Sequence, residues 1–78
     1  MEIKNQLGYI RSTIMGLSQE QLARKTGIDR RFISDFELGN KIPSLKQALL
    51  LSKALKCSVN DIFILEDEKK FSWQYQYQ

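Results

Sequence analysis

The stretch that decides the fold runs from residue 17 to residue 41 and reads LSQEQLARKTGIDRRFISDFELGNK. Ser18 and Gln21 have the spacing of a capping box, in which the serine side chain and the glutamine side chain each satisfy a backbone amide of the other residue. Gly27 is expected to end the helix that starts there, and Asp29 is expected to cap a second helix that runs to the next glycine. Two helices joined by a short turn that contains glycine are typical of a helix-turn-helix motif.

Apolar residues at helical spacing flank this motif on both sides and predict three further helices. These are a first helix from about Leu7 to Gly16, a fourth from Ser44 to about Lys56, and a fifth, capped by Ser58, over Val59–Ile64. The fourth helix is apolar nearly all round and is expected to be central, with one face formed by Leu45, Ala48, Leu49, Ser52 and Leu55. Five short helices predict an all-α domain over residues 1–64, preceded by Met1–Lys4 as either a short strand or a loose end.

Length and composition restrict the classes of function. The chain has 78 residues, which favours one small domain with a modest core and leaves no room for separate catalytic and regulatory domains. It has no histidine, which excludes histidine-based catalysis and histidine metal ligation. The single cysteine, Cys57, lies in an apolar stretch and is expected to be a buried thiol. It has no partner for a disulfide, which suits a reducing cytoplasm. We therefore expect no enzyme activity, no cofactor, no metal and no membrane segment.

Charge and aromatic residues are distributed unevenly along the chain. Residues 1–60 carry ten basic and five acidic side chains, whereas residues 61–78 carry two basic and four acidic ones. The sequence therefore predicts a basic domain over residues 1–64 and an acidic, aromatic tail over residues 65–78.

Within the tail, aromatic residues alternate with polar ones, which is the period of a β-strand. These aromatic residues are Phe71, Trp73, Tyr75 and Tyr77. A lone strand must pair to be stable, so residues 62–66 or 71–77 are expected to pair with Met1–Lys4 or to join a dimer interface. We expect a homodimer to which Ile3, Ile64 and the aromatic residues contribute. A tail without fixed structure and an edge that binds a peptide or ligand remain alternatives.

With these residues in view, the chain resembles the lambda-repressor-like, or Xre-type, helix-turn-helix family. The resemblance covers about residues 5–64 and rests on the capping box, the glycine of the turn, Glu37-Leu38-Gly39 and Pro43-Ser44-Leu45. It implies binding to double-stranded DNA, with the second helix of the motif in the major groove. The residues expected to contact base edges are Asp29, Arg30, Arg31, Ser34 and Asp35. The residues expected to contact phosphates are Ser18, Gln19, Asn40, Lys41 and Lys46.

Some of these side chains have more than one expected role. Arginine reads guanine in bidentate fashion, which suits Arg30 and Arg31. Asp35 can accept a hydrogen bond from cytosine, or it can hold Arg31 in position four residues away, and we favour the second role. Phe32 stands where relatives usually have a small residue, so it is expected to be partly exposed and to touch a sugar or a thymine methyl group.

The chain also departs from the family pattern between Arg11 and Gln19, where it has one residue more than usual. Many relatives have an arginine in the first helix that pairs with the acid corresponding to Glu37, and the extra residue leaves open whether Arg11 does so. A second departure is Leu38, which replaces a commonly polar residue.

The function expected from this resemblance is sequence-specific regulation of transcription. We expect a repressor that binds a near-palindromic operator as a homodimer, because two-fold symmetry of the protein imposes it on the DNA. The alternatives are an antitoxin or restriction-modification controller within the same class, or a protein-interaction module that uses the aromatic tail.

Overall fold

The computed structural model describes residues 2–66, in which five helices surround one core and a two-stranded antiparallel sheet joins the two ends of the segment. The elements are β1 (Glu2–Asn5), α1 (Leu7–Tyr9) with a π-helical continuation (Ile10–Ile14), α2 (Gln19–Thr26), α3 (Arg30–Leu38), α4 (Leu45–Leu55), α5 (Val59–Ile62) and β2 (Phe63–Glu66). The predicted fold class, a five-helix domain with a short C-terminal strand, is confirmed.

Local capping residues set the starts of four helices, as the sequence predicts. Helices α2, α4 and α5 each begin after a serine whose side chain accepts a hydrogen bond from the amide three residues on; these pairs are Ser18 with Gln21, Ser44 with Gln47 and Ser58 with Asp61. Asp29 caps α3 by accepting from the amide of Arg31. Gly27 and Gly39 follow α2 and α3 in the left-handed conformation that glycine adopts most readily.

The core is formed by one apolar stripe from each helix. Its buried residues are Leu7, Ile10, Leu22, Ile28, Ile33, Phe36, Leu51, Leu55 and Ile62. Within the motif this stripe consists of Ile28, Ile33 and Phe36, and it fixes which side of α3 is left facing outward.

Helix α4 is buried along one stripe only, so the predicted face that includes Leu45 and Leu49 is wrong at those two residues. Its buried residues are Ala48, Leu51 and Leu55, whereas the side chains of Leu45 and Leu49 are 75% and 54% exposed. Helix α4 packs against α2 on one side and α5 near its end, so only the stripe that faces them is covered.

The fifth helix ends two residues earlier than predicted. Phe63 has extended backbone angles and begins β2, which pairs antiparallel with β1 over Glu2↔Glu66 to Asn5↔Phe63. Pairing with β1 outweighs continuation of the short helix because β-branched and aromatic residues favour strands. Strand β2 spans the position where the sequence divides domain from tail. The aromatic stretch 71–77 lies outside the described residues.

The first helix contains a π-helical turn. The amide of Met15 donates to the carbonyl of Ile10 at 2.9 Å, five residues back rather than four. The turn therefore holds one residue more than an α-helical turn does. It overlaps the segment between Arg11 and Gln19, in which the sequence predicts one residue more than the family pattern has.

None of the helices between residues 2 and 66 has the length and apolar character that a membrane span requires.

Candidate nucleic-acid interface

The turn between α2 and α3 is held by a buried threonine. The Thr26 hydroxyl donates to the carbonyl of Leu22 at 2.9 Å and accepts from the amide of Ile28 at 3.1 Å. Gly27 supplies the left-handed residue at which the chain reverses (φ 77°). These contacts fix the angle at which the start of α3 is presented.

At the start of α3, the carboxylate of Asp29 organises the following residues. It accepts from the Arg31 amide at 2.8 Å and lies 3.4 Å from the Arg31 Nε. The hydrogen bond from the Arg31 amide is the main reason why the pKa of Asp29 lies below its ordinary value, and the Arg31 guanidinium lowers that pKa further. The Arg31 side chain is 84% exposed, so its guanidinium projects from the surface next to the carboxylate of Asp29.

Arg30 lies on the other flank of α3, against the start of α2. Its Nη1 is 3.4 Å from Oε1 of Gln19, and its Nε is 3.8 Å from Glu20. The two helices of the motif therefore join their polar faces through Arg30. Gln19, which is expected to bind phosphate, and Arg30, which is expected to bind a base, therefore touch each other.

Behind this pair lies the carboxylate of Glu37, whose side chain is 13% exposed. It accepts from Arg11 Nε at 2.6 Å and Arg11 Nη2 at 3.2 Å, and from Gln19 Nε2 at 3.0 Å. The sequence left open whether Arg11 pairs with Glu37, and in the structure the two side chains do pair. Arg11 donates a third hydrogen bond, from Nη1 to the carbonyl of Leu17 at 2.7 Å, which joins this network to the chain ahead of α2.

The loop after α3 is closed by backbone bonds. The carbonyl of Asp35 accepts from the amides of Asn40 (2.9 Å) and Lys41 (3.4 Å). The Lys41 ammonium lies 4.8 Å from the ring centroid of Phe32, and the side chains of Asn40 and Lys41 are exposed. The two loop residues expected to contact phosphate are thus adjacent to α3.

The favoured role of Asp35 as the partner of Arg31 is wrong for this conformation. Arg31 pairs with Asp29, whose carboxylate is already fixed at the Arg31 amide. Among the described residues the Asp35 carboxylate has no hydrogen bond or ion pair, and both Asp35 and Ser34 are half-buried on α3. Asp35 therefore keeps its acceptor oxygens available.

The remaining residues expected to contact phosphate lie at helix starts. Ser18 uses its hydroxyl oxygen to cap α2, accepting from Gln21 at 3.0 Å, and remains exposed. Lys46 is exposed in the first turn of α4. Within residues 2–66, no hydrogen bond or ion pair joins the Lys46 side chain to the residues of α2 and α3.

The residues expected at a dimer interface do not all share one surface. Ile3 faces Leu65 across the sheet, whereas Ile64 faces Lys4, so Ile3 and Ile64 lie on opposite faces of the ribbon. Each is 42% exposed. The aromatic residues expected to join them, Phe71, Trp73, Tyr75 and Tyr77, lie outside the described residues.

Sequence reasoning missed two features of this surface. Glu37 contacts Gln19, 18 positions earlier, and no local spacing indicates that contact. Leu65, the exposed cross-strand neighbour of Ile3, belongs to the predicted strand 62–66 but is not among the predicted dimer contacts. Its apolar character beside Ile64 was the available signal.

Comparisons with known proteins agree with this geometry. A helix-turn-helix family model matches residues 14–62. A protein of Methanocaldococcus jannaschii, described as an uncharacterized HTH-type transcriptional regulator, is 42% identical over 67 residues, which are 86% of this chain and all of that protein. A Bacillus subtilis protein with the same description is 36% identical over 66 residues, 85% of this chain and 98% of its own length. The chain therefore belongs to the lambda-repressor-like, Xre-type helix-turn-helix family of transcriptional regulators.

Proposed function

We propose that this protein is a sequence-specific repressor that binds a near-palindromic DNA operator as a homodimer, with α3 in the major groove. The observation that carries the proposal is the start of α3, where two adjacent arginines follow a charged cap on a helix whose opposite side is buried. The N-terminal residues of such a helix are the ones that reach base edges.

In this proposal Arg30 and Arg31 are the main readers of bases. A guanidinium matches the two acceptors that guanine shows in the major groove, and a good pair contributes about 1–3 kcal/mol of discrimination. Ser34 and Asp35 lie one turn further along, and the unpaired carboxylate of Asp35 suits the amino group of cytosine. Asp29 contributes at the edge of the groove and holds Arg31.

The phosphate contacts are proposed to come from two places that flank α3. At the start of α2, Ser18 and Gln19 accompany backbone amides that have no partner within the helix. On the other side are Asn40 and Lys41, with Lys46 beyond them. Such contacts set the register of a protein on DNA but do not read its sequence.

The bond from Gln19 to Glu37 supports this assignment because it orients the Gln19 side chain before DNA is bound. Gln19 in turn lies against Arg30, so a base contact and a phosphate contact are positioned together. Side chains ordered in advance lose less conformational entropy on binding.

Dimerisation is proposed because one α3 covers only one half-site. The exposed strand residues Ile3 and Ile64, together with Phe71, Trp73, Tyr75 and Tyr77, are the proposed contacts. Size-exclusion chromatography of the full chain beside a chain cut after Lys70 tests the contribution of the aromatic stretch. The dimer is expected to be lost on truncation. An unchanged dimer would remove those four residues from the interface.

Repression follows from occupancy. A protein that covers a promoter blocks polymerase without touching it, whereas activation requires an additional contact with polymerase. We place this activity in the cytoplasm, where the DNA and reduced thiols are found.

The proposal is tested with a binding site selected from random DNA by the full-length protein. Arg30→Ala and Arg31→Ala are each expected to weaken specific binding by about 1–3 kcal/mol and to relax the base preference at one position. Lys41→Ala is expected to weaken all sequences alike, and it serves as the matched control. If Arg31→Ala left the ratio of specific to nonspecific binding unchanged, the base-reading role of Arg31 would be contradicted. Absence of any selected sequence would contradict the function itself.

A further inference from the structure

Phe32 is an aromatic side chain that the fold holds at the surface of α3. It is 40% exposed, although the neighbouring Phe36 is buried. The two rings are nearly parallel, with 13° between their planes and 6.4 Å between their centroids. The Lys41 ammonium lies 4.8 Å from the Phe32 centroid, within the range of a cation–π contact. Contacts with two residues therefore restrict the ring, and a large part of it remains open.

The ring forms the apolar part of a shallow depression. The other side chains that line the depression are all charged: Asp29, Arg31, Asp35 and Lys41. Three of these, Asp29, Arg31 and Asp35, are proposed base contacts, and they lie on both sides of Phe32 along the chain. Arg31 and Asp35, which line the depression beside the ring, are proposed to face the base edges, so the group that enters it is expected to come from those edges.

The major groove displays hydrogen-bonding groups at every base pair but only one apolar group, the 5-methyl of thymine. We propose that Phe32 is a specificity-determining residue that contacts the 5-methyl group of one thymine in each half-site. This inference rests on the proposed function and adds to it the identity of one base. A sugar contact, by contrast, is the same at every nucleotide and selects no sequence.

The test replaces thymines of the selected operator, one position at a time in both half-sites, with deoxyuridine, which lacks only the methyl group. Wild-type protein is expected to lose about fourfold in affinity per half-site at one position, the value of one buried methyl-sized group. In Phe32→Ala the same replacement is expected to cost nothing further. Leu38→Ala is the matched control, since Leu38 is the other exposed apolar residue of α3 and its removal is expected to leave the uracil effect intact.

The outcomes are distinct. A wild-type protein that binds its operator but tolerates uracil at every position would overturn the inference and leave the proposed function standing, and this result needs no variant to fold. The inference would also be overturned if the loss of affinity on uracil replacement persisted in a folded Phe32→Ala protein. The same holds if that loss disappeared only in Leu38→Ala. Failure of the wild-type protein to select any DNA sequence would remove the proposed function, and the role of Phe32 with it.

Discussion

The Glu37 carboxylate lies in the space that a side chain at position 8 would need, so it requires the glycine there. A Cβ at Gly8 would lie 3.1 Å from Oε1 of Glu37 and 3.3 Å from its Cδ, which is tighter than ordinary contact. The carboxylate has little freedom to move away, because Arg11 and Gln19 both donate to it. The glycine that weakens the first helix therefore gives space to the acid that joins three helices.

This dependence predicts the result of a double-mutant cycle. Alanine in place of glycine ordinarily stabilises a helix by about 0.5–1 kcal/mol. In the wild-type background we expect Gly8→Ala to give no gain or a net loss, because Glu37 is crowded. In a Glu37→Ala background we expect the full gain. Urea unfolding followed by circular dichroism measures both free energies of unfolding, and equal gains in the two backgrounds would show that the residues are independent.

The lowered pKa of Asp29 predicts a pH dependence of stability. Because its pKa in the folded state lies below the ordinary 3.8, the unfolded chain binds more protons in this range and stability rises with pH. The contribution is complete above about pH 4 and is lost as the pH falls through the folded value. Asp29→Asn keeps an oxygen that can cap α3 but does not titrate.

We therefore expect wild-type protein to lose more stability than Asp29→Asn between pH 5 and pH 2.5. Thermal unfolding of both proteins in matched salt measures the difference. Parallel curves over that interval would show that the carboxylate charge contributes nothing to the cap.

The π-helical turn is the element that departs most from a regular helix. It places Arg11 on Glu37 while holding an extra residue between Arg11 and α2. Thr13 lies in this turn and is exposed. Deleting Thr13 is expected to return the segment to α-helical winding, with the Arg11–Glu37 pair retained and the free energy of unfolding changed by less than about 1 kcal/mol.

A matched deletion of Arg24 in α2 serves as the control. It rotates the following residues by about 100° and takes Thr26 out of the turn, so loss of the folded state is expected. Circular dichroism melts of the two deletions provide the comparison. A Thr13 deletion as damaging as the Arg24 deletion would mean that the π-helical turn is required by its surroundings.

Elements whose causes are local could be predicted from the sequence, and those with tertiary causes could not. Serine and aspartate caps act within three residues, so the starts of α2 to α5 were predicted correctly. The sequence predicted pairing of residues 62–66 with Met1–Lys4 as one possibility, but not that α5 ends at Ile62, because that end depends on a partner strand nearly 60 positions away. Which leucines of α4 are covered depended on where α2 and α5 pack. At the site, the four-residue spacing indicated Asp35 as the partner of Arg31, whereas in the structure the cap of α3 brings Asp29 to it.

For the molecule as a whole, the formal charge of +3 is small for a DNA-binding protein. Even residues 18–46, which contain the proposed interface, carry only six basic side chains against four acidic ones. Long-range attraction to DNA is therefore weak, and affinity must come from contacts placed at particular groups. Two copies of the chain would double those contacts.

This reasoning predicts the salt dependence of DNA binding. Only cations that neutralise phosphates release counterions, and the proposed ones are Lys41 and Lys46 in each subunit. Four such contacts give a slope of log K against log salt of about −3.6, and Lys41→Ala should reduce it to about −1.8. Lys25→Ala, an exposed lysine at the end of α2 outside the proposed interface, is expected to leave it unchanged. Titration of the selected operator with KCl measures the slope. A value steeper than about −6 would mean that further cations contact phosphate, so that the interface extends beyond the proposed residues.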